Sequence, residues 1–210
     1  MLKEFEEEIA ELYESGAIKA PVHLRDGNEK ILTEIFKKIK SQDYVFSTWA
    51  SHLHCLLKGV PPERVRQDIL DGRSITLHYP EYNFYSSAIV GGIAPIAVGT
   101  AKALQMSTAP IKNEPPRVFA FVGDMALNTG IVNESIRYSI GHDLPITWVV
   151  EDNGKSVGTE TEETCGIKTK DLFDSLQQLL RKYSCCNVEL IYYSYKTSYP
   201  HSGTGVFVEF

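Results

Sequence analysis

Residues 117–153 read RVFAFVGDMALNTGIVNESIRYSIGHDLPITWVVEDN, and they decide the fold. The stretch opens on a nearly continuous apolar run, Val118 to Val122, and closes on a second, Ile146 to Val150. Runs this short and this rich in β-branched or aromatic residues form strands buried on both faces of a parallel sheet. Between them NTGIVNESIRYSIGH has helical spacing, so the unit reads strand, helix, strand. A third run, Val188 to Tyr192, follows another helical stretch, DLFDSLQQLLRKYS. This alternation predicts an α/β fold with a mostly parallel central sheet flanked by helices. Ligands of such sheets bind beyond the carboxyl ends of the strands. Two of those ends carry Gly123-Asp124 and Asp152-Asn153.

Toward the amino end, residues 107–116 (STAPIKNEPP) form a polar connector, and SSAIVGGIAPIAVGTAKAL before it is rich in small residues that permit close backbone approach. Tyr44 to Thr48 reads as a short buried strand, followed by a helix containing His52 and Leu56 and by one that Pro61-Pro62 opens toward Leu70. A helix over 28–39 presents Ile31, Leu32, Ile35, Phe36 and Ile39, and a surface helix at about 2–15 ends at Gly16. No repeat or linker divides the chain, so 1–210 reads as one domain.

With 21 Lys plus Arg against 27 Asp plus Glu, the net charge is -6, which excludes a basic face built to read a phosphate backbone. A 43% hydrophobic content suits a packed core, and no apolar run approaches the roughly 20 residues needed to span a bilayer. The acidic, helical start has no hydrophobic signal region, so a cytoplasmic location is expected. Cys55, Cys165, Cys185 and Cys186 lack zinc-site spacing and are expected to be reduced thiols, the last two packed beside a strand.

One strand-helix-strand unit brings Asp124 and Asn153 to the same crevice. A carboxylate and an amide carbonyl are hard oxygen ligands that suit Mg, and the backbone carbonyl of Lys155 would supply another oxygen. Gly123 would allow the turn, and amides opening the next helix would favour an anionic diphosphate. From spacing alone, a helix cap and a turn residue explain Asp124 and Asn153 equally well.

The segment GDMALNTGIVNESIRYSIGHDLPITWVVEDNGKSVGT resembles the thiamine-diphosphate motif, which begins GDG and ends NN. More narrowly it is similar to the alpha subunit of thiamine-diphosphate-dependent 2-oxo acid dehydrogenases, and the agreement continues upstream through PVHLRDGNE, DYVFSTWASHLHCLLKG and LHYPEYNFYSSAIVGGIAPIAVG. It covers roughly residues 16–166. The resemblance implies the three-layer thiamine-diphosphate-binding fold, of which this chain is the diphosphate-binding half. It implies that Asp124, Asn153 and the Lys155 carbonyl hold Mg, that Gly123 and Met125 lie against the diphosphate, and that Ala88 and Val90 hold the aminopyrimidine ring. His52 and His54 match functional histidines, as do His23 and His78, and YPHSG makes His201 a candidate for contact with the intermediate. An imidazole titrating near neutrality suits proton transfer at a 2-oxo acid adduct.

The implied activity is that of an alpha-like subunit of a decarboxylating 2-oxo acid dehydrogenase. A separate beta-like subunit would supply the activating glutamate, in a heterodimer or heterotetramer. Three departures stand out: Met125 replaces the motif's third glycine, Asp152 its first asparagine, and Ala50 stands where relatives carry arginine. Leu53 also replaces a glycine. The lost arginine and the short segment after Thr159 leave room for a split-transketolase-like ketol or acyl transfer, and the substitutions together for a non-catalytic pseudo-subunit. A nicotinamide-binding dehydrogenase is disfavoured, because no GxGxxG follows a strand.

Overall fold

The computed structural model describes residues 1–107, 114–156, 158–200, 202–206 and 208. Its sheet runs β2-β3-β1-β4-β5-β8, from β1 (Tyr44–Ser47), β2 (His78–Tyr79), β3 (Phe84–Ser86), β4 (Val118–Gly123), β5 (Ile146–Asp152) and β8 (Glu189–Ser194). All neighbours are parallel except β2 on β3. A second, two-stranded pair joins β6 (Lys155–Ser156) to β7 (Thr159–Glu160). The α/β class read from the alternation of apolar runs is the class observed.

Residue alternation along the strands sorts the core into two layers. Val45, Phe119, Phe121, Val149 and Tyr193 face one side, against α1 (Leu2–Glu14), α2 (Glu29–Phe36), α3 (His52–Leu57) and α4 (Pro62–Leu70). Phe46, Ala120, Val122, Trp148 and Val150 face the other, against α5 (Ile93–Met106), α7 (Gly130–Gly141) and α9 (Thr169–Lys182). Trp148 is fully buried and donates its indole N–H to Ser139 Oγ at 3.0 Å, so the largest core side chain leaves no polar atom unpaired. The described helices include none long and apolar enough to cross a membrane. All four cysteines are free thiols.

Three elements differ from the sequence reading. The helix expected over 28–39 stops at Phe36, its buried face is Leu32, Ile35 and Phe36, and Ile31 is exposed. The helix read over 128–142 is observed as α7, but a separate single turn, α6 (Asp124–Leu127), which the sequence reading did not include, precedes it. Thr129 Oγ1 donates to the Ala126 carbonyl, and Asn133 Nδ2 donates to the Leu127 and Thr129 carbonyls, so side chains satisfy groups that a continuous helix would have used. The strands β2 and β3 are too short to leave a periodic signal. Of the connector 107–116, residues 108–113 lie outside the described ones.

The order of strands places the cleft. From β1 the chain moves first outward to β3 and then, through α5, back to β4 on the opposite side, so connections diverge between β1 and β4. Two distant segments then close the rim. Asp26 accepts the Thr197 hydroxyl at 2.6 Å, the Ser198 amide at 2.7 Å and the Ser198 hydroxyl at 2.5 Å. Beside it Gly27 has φ +80°, and a Cβ there would meet the Lys196 carbonyl oxygen at 2.2 Å. Both the left-handed backbone and the contact with main chain exclude a side chain. Gly27→Ala is therefore expected to cost at least about 2 kcal/mol, from strain and overpacking, as a lowered urea midpoint with unchanged slope.

Candidate active site

An open cleft lies over the carboxyl ends of the parallel strands. Each strand delivers residues to it: Thr48 follows β1, Ser87 follows β3, Gly123 ends β4, Asn153 follows β5 and Tyr195 follows β8. Gly123 leaves open space where its Cβ would stand, so the wall is bare backbone there.

Asp124 is the first residue of α6 and is buried, yet it lines the cleft. Thr161, which opens α8 (Thr161–Cys165), donates its hydroxyl to Asp124 Oδ2. One carboxylate oxygen is thereby engaged, and backbone amides at the start of α6 add to its support. Burial pushes the Asp124 carboxyl up, the Thr161 hydrogen bond offsets part of this, and the nearby Asp152 charge adds to it, leaving it at about 6. A desolvated carboxylate next to a second negative group is stabilised by a cation.

Asp152 itself is committed to structure: its Oδ1 accepts the Gly154 amide at 2.9 Å and its Oδ2 accepts the Tyr192 hydroxyl at 2.6 Å. These bonds, with Gly154 at φ +74°, turn the chain so that Asn153 and Lys155 reach the cleft. Asn153 Oδ1 accepts the Lys155 amide at 3.1 Å and retains a second lone pair. No three His, Cys, Asp or Glu side chains converge on a metal position among the described residues. Asp124 and Asn153 are a carboxylate and a neutral amide oxygen on one cleft, donor types that Mg accepts.

Met125 also lines the cleft, but its sulfur rests 3.5 Å from Cys165 Sγ on α8. The bulk added at the motif's glycine position is thus taken up by packing against that helix. The residues that follow Gly123 form a single turn, α6, so the amides read as favouring a diphosphate are those of one short turn ahead of α7. Val90 is exposed on the cleft wall. Ala88 is half-buried and does not line it, although Ser87 and Ile89 do.

The predicted histidines are placed elsewhere. His52 is buried, with Nδ1 at 3.2 Å from Glu6 and Nε2 at 2.8 Å from Ser74, and it ties α1 to α3. His54 is equally buried. With its Nε2–H directed at Glu151 Oε1 at 3.2 Å, its Nδ1 accepts the Ser47 hydroxyl at 2.6 Å. Neither ring lines the cleft, so direct contact with substrate, the role expected for both, does not match their position: apolar packing surrounds them, and their polar partners come from within the core. His201 lies outside the described residues. His23 stacks on Trp49, which does line the cleft, and His78 packs on Tyr85 at the sheet edge. Ala50 is on the cleft wall, whereas Leu53 belongs to the core.

The group that organises this region was not read from the sequence. Glu151, on β5 opposite Gly123, has a fully buried side chain that accepts hydrogen bonds from Arg25, His54 and Tyr193. Burial by itself would raise its carboxyl, but Arg25 and His54 beside it, with the donated hydrogen bonds, hold it down at about 2. Arg25 lies 126 positions from Glu151 in the chain, a distance at which no spacing rule operates.

A model of the dehydrogenase E1 component family matches residues 1–174, and the chain belongs to that family. It is similar to the pyruvate dehydrogenase E1 component subunit alpha of Porphyra purpurea, 34% identical over 182 residues that make up 79% of this chain and 52% of the relative. It is also similar to the chloroplastic subunit alpha-3 of Oryza sativa subsp. japonica, at 30% identity over 73% of this chain and 40% of the relative. The subunit alpha of Rickettsia bellii (strain RML369-C) is 29% identical over 76% of this chain and 50% of the relative. The chain spans about half the length of the curated relatives it matches.

Because the Glu151 carboxyl is lowered in the fold, from 4.5 to about 2, its contribution is complete above pH 4.5 and disappears as pH falls toward 2. Glu151→Gln is expected to lower stability by on the order of 3 kcal/mol at pH 7. The difference from wild type should shrink to near zero by about pH 2, in urea unfolding followed across that range.

Proposed function

We infer that this chain is the diphosphate- and metal-binding part of a thiamine-diphosphate-dependent enzyme that decarboxylates a 2-oxo acid, acting as an alpha-like subunit. The observation that carries this reading is the convergence of Asp124 and Asn153, from the ends of adjacent strands, on one open cleft beside bare backbone at Gly123. In this reading Asp124 and Asn153, with the Lys155 carbonyl, hold Mg on the diphosphate, and Thr161 fixes the Asp124 carboxylate so that a single oxygen meets the metal. When bound, the thiamine group supplies the carbanion that attacks the substrate carbonyl and stabilises charge after loss of carbon dioxide. Val90 and Ile89, both exposed on the wall, offer apolar contact to a ring and exclude water from it.

The reading includes a beta-like partner, in a heterodimer or heterotetramer. Activation of the aminopyrimidine needs a free carboxylate, and among the described residues the cleft is lined by one glutamate, Glu151. Its three donors leave it unavailable for proton exchange with a ligand. A carboxylate from another chain fits that requirement.

Calorimetric titration of thiamine diphosphate with Mg tests the assignment. Asp124→Asn should weaken Mg-dependent binding at least 30-fold while leaving the thermal midpoint of the ligand-free chain undiminished, because the change removes a desolvated charge and keeps a partner for Thr161. Unchanged binding would overturn the metal assignment.

A further inference from the structure

We propose that Arg25 is an anion-binding residue of the cleft, with its guanidinium taking an oxyanion of the ligand: a diphosphate oxygen of the cofactor or the carboxylate of the 2-oxo acid. This rests on the function proposed above and adds a recognition element to it. Arg25 is on the cleft wall, and it is the single guanidinium among the described residues there, with 11% of its side chain exposed. Nη1 binds Glu151, and Nη2 donates to Thr48 Oγ1 at 3.1 Å. An arginine has five N–H donors in one plane, so these two bonds fix the plane without exhausting it.

Place and charge both favour an oxyanion. Glu151 pairs in register with Gly123, so the carboxylate that holds the guanidinium belongs to the strand beside the bare backbone that precedes Asp124, and both Arg25 and Gly123 line the one cleft. The other cation on the wall, Lys155, has an exposed ammonium 3.6 Å from Glu160 on a surface hairpin, and it is far less preorganised. Ala50, two residues beyond Thr48 on the same wall, contributes no polar atom. Glu151 does not cancel the site. Its own carboxylate is also held by His54 and Tyr193 at Oε1, so the pair is a rigid mount for the arginine that lines the cleft. Burial lowers the arginine's pKa, but the Glu151 charge more than restores it, and the guanidinium stays protonated at every working pH.

Three chains test the assignment, each used at full length: wild type, Arg25→Lys, and the double variant Arg25→Met with Glu151→Gln. The lysine variant keeps the charge and one bond to Glu151 but loses the planar fork. The double variant removes both charges, so that no buried carboxylate is left alone if the lysine form folds poorly. Inorganic pyrophosphate with Mg is titrated calorimetrically, and pyruvate is titrated by NMR into chain loaded with thiamine diphosphate and Mg. A loss of tenfold or more in pyrophosphate affinity, in either folded variant, assigns Arg25 to the diphosphate. The same loss confined to pyruvate assigns it to the substrate carboxylate. Affinities for both within twofold of wild type overturn the proposal, while continued sensitivity of pyrophosphate binding to Asp124→Asn would leave the cofactor reading standing. Absence of any binding by wild type overturns both.

Discussion

A single buried carboxylate ties the parts of this fold together. Glu151 sits at the end of a central strand, where burial without partners would force it to protonate, and it stays ionised because three donors reach it from three separate segments. Arg25 arrives from the loop before α2, His54 from α3 and Tyr193 from the edge strand β8. Each donor is worth more because the others exclude water, and removing any one leaves a charge short of solvation. The apolar layers set the distance between helices and sheet. The carboxylate decides how the loops above them are oriented.

That arrangement separates two electrostatic tasks within a few residues of one strand. Glu151 is compensated and silent, Asp152 is spent on the turn, and Asn153 is left facing the cleft as a neutral oxygen donor. Across the β4–β5 pairing, Asp124 is the negative group still in need of a counter-charge. The cleft therefore holds one uncompensated anionic ligand and one oriented cation at its wall, which is the polarity expected of a site for a metal-bound anion. Its apolar contacts, Ile89 and Val90, come from a different connection, the one between β3 and α5.

How much of this was legible in the sequence varied with the range of the interaction. The β4–α7–β5 unit was plain, because buried parallel strands are continuous apolar runs and the loop residues at their ends are set by local chemistry. Gly123, Asp124 and Asn153 could be singled out for that reason. Two- and three-residue strands such as β2 and β3 carry no period, and the break between α6 and α7 depends on side-chain bonds from Thr129 and Asn133 that mimic helical ones. His52 and His54 were visible as residues but not as environments: whether an imidazole faces a cleft or a core depends on Ser47 nearby and on Glu6, Ser74 and Glu151, which lie 46, 22 and 97 positions from the histidine they meet. Arg25 carried no signal in the sequence, because the partner that fixes it lies 126 positions away.

The closure of Gly27 against Lys196 and of Asp26 on Thr197 and Ser198 bears on how the protein is made. Parallel strands β1, β4 and β5 and the Arg25–Glu151 pair involve no residue beyond Asp152, but Asp26 and Gly27 of the same loop close on residues 196–198. Contacts so far apart in the chain are slow to form because loop-closure entropy must be met first. The rim of the cleft, unlike its floor, therefore depends on the chain's late segment: without residues 196–198 the strands would keep their pairing and the loop that carries Arg25 would lose this closure.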